Sequence, residues 1–170
     1  MLAGSASART REQLAAAGGP TVVVDAVRAA HDRAGAVAET LDGIRADLAA
    51  GRLPIVSAGH DAEAIAAAQT ALGVGAAADA VEAVLAEVAL AAVAELGVRG
   101  LLVAGGETSG AVTRALGVRA LRLTRRVDPG VAWASGRATA VAGEPVLGVL
   151  LKSGNFGGVD LLTRAWEEAP

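Results

Sequence analysis

The sequence predicts an α/β fold, a layered α/β/α domain with a largely parallel sheet and an antiparallel hairpin at one edge. Short apolar runs bounded by turn residues alternate with longer helical stretches along all 170 residues. Those runs lack the polar alternation of a half-solvated sheet, as expected for strands covered on both faces. A hydrophobic content of 53% comes with only 2% aromatics, so the core is alanine, valine and leucine, which suits helices lying flat on a sheet.

The elements follow in order. The loop "LAGSASART" (2–10) leads into a helix over 7–17. "TVVVDAV" (21–27) is β-branched and reads as a strand, and 33–50 reads as a helix. "LPIVSAG" (53–59) is the next strand; His60 and Asp61 follow it, and Asp61 is an ordinary cap for a helix over 61–72. A second helix spans 76–96, and "GLLVAGG" (100–106) is a strand feeding a helix over 109–116. Gly73, Gly97 and Gly117 stand where helices end. "ALRLTRR" (120–126) reads as a strand, whereas "VDPGVAWASGRATAVAG" (127–143) breaks the rhythm with an Asp-Pro-Gly turn signal and suits a hairpin or edge strand. "PVLGVLLKSG" (145–154) is the last strand and 157–168 the last helix. One domain over 1–170 accounts for the length.

Composition excludes several functions. No charge-free apolar run reaches the roughly 18 residues of a membrane span, and "MLAGSASARTRE" has no long apolar signal region, so a cytoplasmic location is the default. Zero cysteines and two distant histidines exclude disulfides, thiol chemistry and a cysteine- or histidine-rich metal site; no metal ligand is assigned. A net charge of −3 argues against nucleic acid. Seven arginines lie between Arg99 and Arg137 against Glu107 and Asp128, which suits a small anionic ligand or a plain solvated surface.

In open α/β sheets ligands bind beyond the carboxyl ends of strands, where free N–H groups at a helix start favour an anion. Three junctions fit: "LAGSASART" (2–10), "LLVAGGETSGAVTRALG" (101–117) and "LLKSGNFGGVDLL" (150–162). Four of the six serines fall there, namely Ser5, Ser7, Ser109 and Ser153. Glycine allows close approach of backbone to phosphate and serine adds a hydroxyl without bulk, so three such loops suggest a polyphosphate. The pattern "GGETSG" is neither a P-loop, since Ala111 and Val112 stand where Lys and Ser/Thr are needed, nor G-x-G-x-x-G.

The third junction holds the chain's only lysine (Lys152), only asparagine (Asn155) and only phenylalanine (Phe156). In a chain with 14 arginines, a compact ammonium at Lys152 reads as required, to neutralise phosphate charge. Asn155 reads as a hydrogen-bonding partner for base or ribose, or as a left-handed turn residue. Phe156 reads as a stacking ring or, preferably, a core plug. Glu107 organises Mg²⁺ or interacts with a helix N-terminus. His60 with Asp61 reads as structural.

At these loops the sequence resembles a known family. "LAGSASARTREQ", "VAGGETSGAVTRALGV", "VDPGVAW" and "LLKSGNFGG" occur in this order in the C-terminal nucleotide-binding domain of the four-carbon acid sugar kinases, the 3-oxo-tetronate, threonate and erythronate kinases. The resemblance covers essentially the whole chain. It implies ATP and Mg²⁺ as cofactors, phosphorylation of the 4-hydroxyl of a sugar acid, and cofactor contacts from Ser5, Ser7, Gly105, Gly106, Glu107, Thr108, Lys152, Gly154 and Asn155; no catalytic residue is assigned. Ala6, Arg126 and Ala132 depart from the family's frequent cysteine, glutamate and proline. Only Met1 to Ala3 precede the first motif, so the expectation is the C-terminal domain of a longer two-domain kinase without its N-terminal sugar-acid domain, inactive alone and taking ATP or ADP. No membrane partner is expected; the alanine-rich helix over 76–96 is a candidate homo-oligomer contact. A non-catalytic module sensing a nucleotide or phosphorylated metabolite is the alternative.

Overall fold

The computed structural model describes residues 1–58 and 62–169. Its core is a seven-stranded sheet: β1 (Leu2–Ala3), β2 (Val22–Val23), β3 (Val56–Ser57), β4 (Gly100–Ala104), β5 (Arg122–Asp128), β6 (Val131–Arg137) and β7 (Val146–Lys152), in the order β2-β3-β1-β4-β7-β6-β5. Strands β2, β3, β1, β4 and β7 run parallel, and β6 and β5 extend the sheet antiparallel from β7. The α/β layered class and its antiparallel edge are as the sequence predicts.

The helices are α1 (Ala8–Ala16), α2 (Ala26–His31), α3 (Arg33–Ala49), α4 (Ala62–Leu72), α5 (Val74–Glu95), α6 (Gly106–Ala115) and α7 (Leu161–Glu167). Two apolar clusters flank the sheet. One joins Ala29, Leu41, Ile44, Val84, Leu85, Val88, Val112 and Leu116 to one face, burying α2, α3, α5 and α6. The other joins Leu14, Leu161, Leu162 and Trp133 to the opposite face, burying α1 and α7. Large aromatics enter only there: the Trp133 and Trp166 rings meet edge-on at 5.2 Å, and the Trp133 indole Nε1 donates to the Ala165 carbonyl at 2.7 Å.

Several elements differ from expectation. Strand β1 escapes the pattern because only Leu2 and Ala3 pair, and "TVVVDAV" supplies only Val22–Val23. After them Asp25 caps α2, accepting from the Arg28 N–H at 2.9 Å, so the local cap wins over the β-branched run. Helix α6 begins at Gly106 rather than 109, and α7 at Leu161 rather than 157. The 120–126 run forms β5 with residues 122–126 all exposed, as suits an uncovered edge strand. The Asp-Pro-Gly turn joins β5 to β6. The alanine-rich helix over 76–96 buries Ala77, Val84, Leu85, Val88, Ala89 and Ala92 in the core and leaves Ala76, Ala78, Asp79, Glu87 and Ala94 exposed. His60 and Asp61 lie outside the described residues. Among the described residues no helix is long and apolar enough to cross a membrane.

Because Leu85 on α5 is fully buried within the larger cluster, Leu85→Ala is expected to lower unfolding free energy by about 2–5 kcal/mol in urea titration.

Candidate functional site

The strand order decides where the three glycine and serine loops meet. Strands β1, β4 and β7 are consecutive and parallel, so the loops after them leave one edge side by side. The helix after β1 packs on one face and the helix after β4 on the other. Such a change of face between neighbouring parallel strands opens the crevice in which α/β sheets bind ligands.

Backbone bonds tie the loops together. Gly4 and Ser5 donate their N–H groups to the Ala104 carbonyl at 3.1 and 3.2 Å, and the Gly105 N–H donates to the Lys152 carbonyl at 2.9 Å. Close packing admits only glycine at two points. A Cβ on Gly154 would stand 2.3 Å from Ser5 Oγ and 2.9 Å from Ser7 Oγ, and one on Gly4 would stand 2.1 Å from Thr108 Oγ1. At Gly105 the backbone adopts φ +128°, a conformation that other residues rarely take. Gly106 differs, since a Cβ there would meet nothing within 4 Å. Open space therefore lies beside Gly106 at the start of α6, where a helix leaves its first N–H groups without intrahelical partners, a cradle that favours an anion.

Lys152, at the end of β7, is 2% exposed. Its Nζ donates to Thr10 Oγ1 and to the Gly154 carbonyl, each at 3.0 Å. Thr10, fully buried on α1, donates its hydroxyl to the same carbonyl at 3.0 Å and accepts from Ser7 Oγ at 3.1 Å. Ser7 caps α1 by accepting from the Thr10 N–H at 3.2 Å, and Ser5 Oγ accepts from the Ser7 N–H at 3.3 Å. Among the described residues no carboxylate pairs with Lys152. Burial, and then the nearby Arg9 cation, lower its ammonium pKa from 10.5 to about 8.

The predicted residues thus separate. Ser5, Ser7, Gly105, Thr108, Lys152 and Gly154 come together, and Gly106 lines the opening. Glu107 lies exposed in the first turn of α6 and faces Glu82 on α5; burial, then the Glu107 charge, raises the Glu82 carboxyl pKa. Asn155 is exposed in the third loop without a left-handed backbone. Phe156 is 47% exposed rather than a core plug, its ring lying against Gly130 of the β5–β6 turn. Nor do the seven arginines gather at the cradle: Arg99 donates to the Val93 carbonyl beside the start of β4, and Arg122, Arg125 and Arg126 belong to the outer strand β5.

Comparison with known proteins agrees with this geometry. A family model described as nucleotide-binding C-terminal domain matches residues 1–162. A 3-oxo-tetronate kinase of Burkholderia multivorans is 44% identical over 97% of this chain, and one of Methylobacterium radiotolerans 45% identical over 96%. The chain is a nucleotide-binding C-terminal domain of the four-carbon acid sugar kinase family. It spans 37% and 38% of the length of those two relatives. Among solved structures, Haemophilus influenzae protein HI1011 matches 98% of this domain and 39% of its own chain, with a TM-score of 0.84 at 30% identity. A Bordetella bronchiseptica protein with bound citrate, a domain-swapped dimer, matches 96% of the domain and 39% of its own chain, with a TM-score of 0.68 at 26% identity.

Two residues that hold this domain's loops in place were missed from sequence. Thr10 is one. The other is Gln13, fully buried, whose Nε2 donates to the carbonyls of Phe156, Gly157 and Gly158 at 3.1, 3.3 and 2.8 Å. Both are polar, three residues apart on a helix that packs against the sheet, and that spacing was the available signal.

Gly154→Ala is expected to destabilise the domain by about 1–3 kcal/mol in urea titration, because the added methyl displaces the Ser5 and Ser7 hydroxyls. A lowered ammonium pKa means that the folded state disfavours the proton. That penalty is complete below about pH 8 and disappears as pH rises from 8 to 10.5. Wild-type stability is therefore expected to rise across that window relative to Lys152→Met, in urea midpoints measured in parallel.

Proposed function

We propose that this chain is the ATP-binding domain of a kinase that phosphorylates the 4-hydroxyl of a four-carbon sugar acid of the 3-oxo-tetronate, threonate or erythronate type. The sugar-acid pocket then comes from another domain of a longer protein, and the chain alone has no turnover. The observation that carries this reading is the buried Lys152 ammonium, held by the Thr10 hydroxyl and the Gly154 carbonyl and paired with no carboxylate among the described residues, on a residue whose carbonyl accepts the Gly105 N–H before α6. An uncompensated buried cation is costly, and an anion in the cradle offsets that cost.

The residues present suit a polyphosphate. Gly106 and Glu107 offer the N–H groups of the first turn of α6 to phosphate oxygens, and the Ser5 and Thr108 hydroxyls lie beside Gly4, Gly105 and Gly154. Two of the three ammonium protons of Lys152 are committed to Thr10 and Gly154, which leaves the third for the ligand. Glu107, exposed in the first turn of α6, would hold Mg²⁺ directly or through water, and the ion would offset phosphate charge there. ATP with Mg²⁺ supplies the transferred phosphoryl group and spreads its charge. The domain's residues fix the phosphate chain and neutralise it, so their contribution is positioning and electrostatics rather than covalent chemistry. The reading is of a cytoplasmic enzyme, in keeping with its bacterial metabolic relatives.

Isothermal titration of the folded chain with Mg-ADP tests this. Binding is expected, with Ser5→Ala weakening it by about tenfold through loss of a hydrogen bond to a charged group. A phosphate beside Lys152 raises the ammonium pKa from about 8, so binding at pH 8.5 takes up protons, and that uptake disappears in Lys152→Met. No heat and no thermal shift with ADP or ATP, in folded protein, contradicts the reading.

A further inference from the structure

Asp128 ends β5 at the Asp-Pro-Gly turn, yet its carboxylate serves a different loop. An aspartate that opens a turn ordinarily accepts from the turn's own backbone. Here Oδ2 accepts the Gly158 N–H at 2.9 Å and Oδ1 accepts from Arg164 Nη2 at 2.7 Å. The Gly158 N–H, and then the Arg164 guanidinium, hold the carboxyl below the usual carboxylate range, so the ionised acceptor is the form in place at neutral pH. Arg164 also donates to Asp160 Oδ2 at 3.1 Å and to the Val127 carbonyl at 3.3 Å, which fixes the carboxylate between β5 and α7.

The loop that Asp128 reaches is the third of the glycine and serine loops. Three of the five residues from Gly154 to Gly158 are glycine, so its backbone alone has many shapes and a fixed one must be imposed from outside. One peptide group is gripped at both ends. The Gly157 carbonyl accepts from Gln13 Nε2 on α1 at 3.3 Å, and the Gly158 N–H of the same peptide donates to Asp128. Gln13 Oε1 is buried without a hydrogen-bond partner among the described residues, a cost to folding that marks this amide as retained for its Nε2 contacts. Phe156 adds a second tie to the turn, since a Cβ on Gly130 would stand 2.5 Å from its Cε1. Upstream of this grip, the N–H groups of Gly154 and Asn155 donate to no backbone carbonyl among the described residues. Free donors beside the Ser5 and Ser7 hydroxyls suit a phosphate best when the loop is already still, because ordering it on binding costs affinity.

We propose that Asp128 is a positioning residue for the nucleotide phosphates: by holding the Gly158 N–H opposite Gln13 it sets the third loop in its binding shape. The proposal rests on the nucleotide reading given above. The test is isothermal titration with Mg-ADP on wild type, Asp128→Ala and Asp128→Asn, with urea midpoints in parallel. Asp128→Ala is expected to weaken binding by about tenfold. Asp128→Asn, whose amide oxygen still accepts the Gly158 N–H, is expected to stay within about threefold of wild type. In wild type, hydrogen exchange at the Gly158 amide is expected to slow by at least about tenfold at saturating Mg-ADP, a readout that needs neither variant to fold. Affinity of Asp128→Ala within about twofold of wild type, with only its urea midpoint lowered, makes Asp128 a structural residue and overturns the proposal while the nucleotide site stands. Asp128→Asn binding as weakly as Asp128→Ala, or Gly158 exchange unmoved by Mg-ADP, overturns it in the same way. Absence of Mg-ADP binding by folded wild type removes the nucleotide reading and this proposal with it.

Discussion

The hydrogen bonds of the Lys152 ammonium organise the site. One of them reaches Thr10 on α1 and another the Gly154 carbonyl, so a single cation ties the helix after β1 to the loop after β7. The Thr10 hydroxyl has its donor on that same carbonyl and accepts from both Ser7 and Lys152, a fully used oxygen with no room for another partner. Only a small loop packs so tightly, which is why Gly154 lies against the Ser5 and Ser7 hydroxyls. An arginine fork does not fit this point-like, buried role, and that is a physical reason for a lysine in a chain that otherwise uses arginine.

Topology supplies the other half. Two-residue strands β1, β2 and β3 suffice because the sheet is completed by β4 and β7, each several residues longer and buried on both faces. With β1 between β3 and β4, the helices after β1 and β4 part to opposite faces, and the crevice between them is an outcome of chain path. The antiparallel extension β6-β5 then completes the far side of the sheet, with Trp133 and Ala134 of β6 buried on opposite faces and β5 exposed at the edge.

Much of this was legible in the amino-acid order. Apolar runs without alternation announced covered parallel strands, and Asp128-Pro129-Gly130 announced the hairpin that closes the outer edge. The loops that converge were recognisable by their glycines and serines. Their adjacency was not, since it depends on strand order. Strand β1 was hidden by its length, and α2 by the valines before its Asp25 cap. Phe156 misled because a lone phenylalanine in an aromatic-poor chain reads as core, yet it covers a turn glycine. Thr10 and Gln13 lie on the helix after the first loop, and their contacts are to the third loop, 144 and 145 residues away, which local pattern does not show.

The central claim is that the loops after β1, β4 and β7 form one nucleotide site. Titrating the ¹⁵N-labelled chain with Mg-ADP and following amide resonances tests it most directly. The account predicts that the amides of Ser5 to Ser7, Gly105 to Thr108 and Ser153 to Asn155 shift together with one shared dissociation constant. Saturable shifts confined to other parts of the chain, with these three loops unmoved, contradict it.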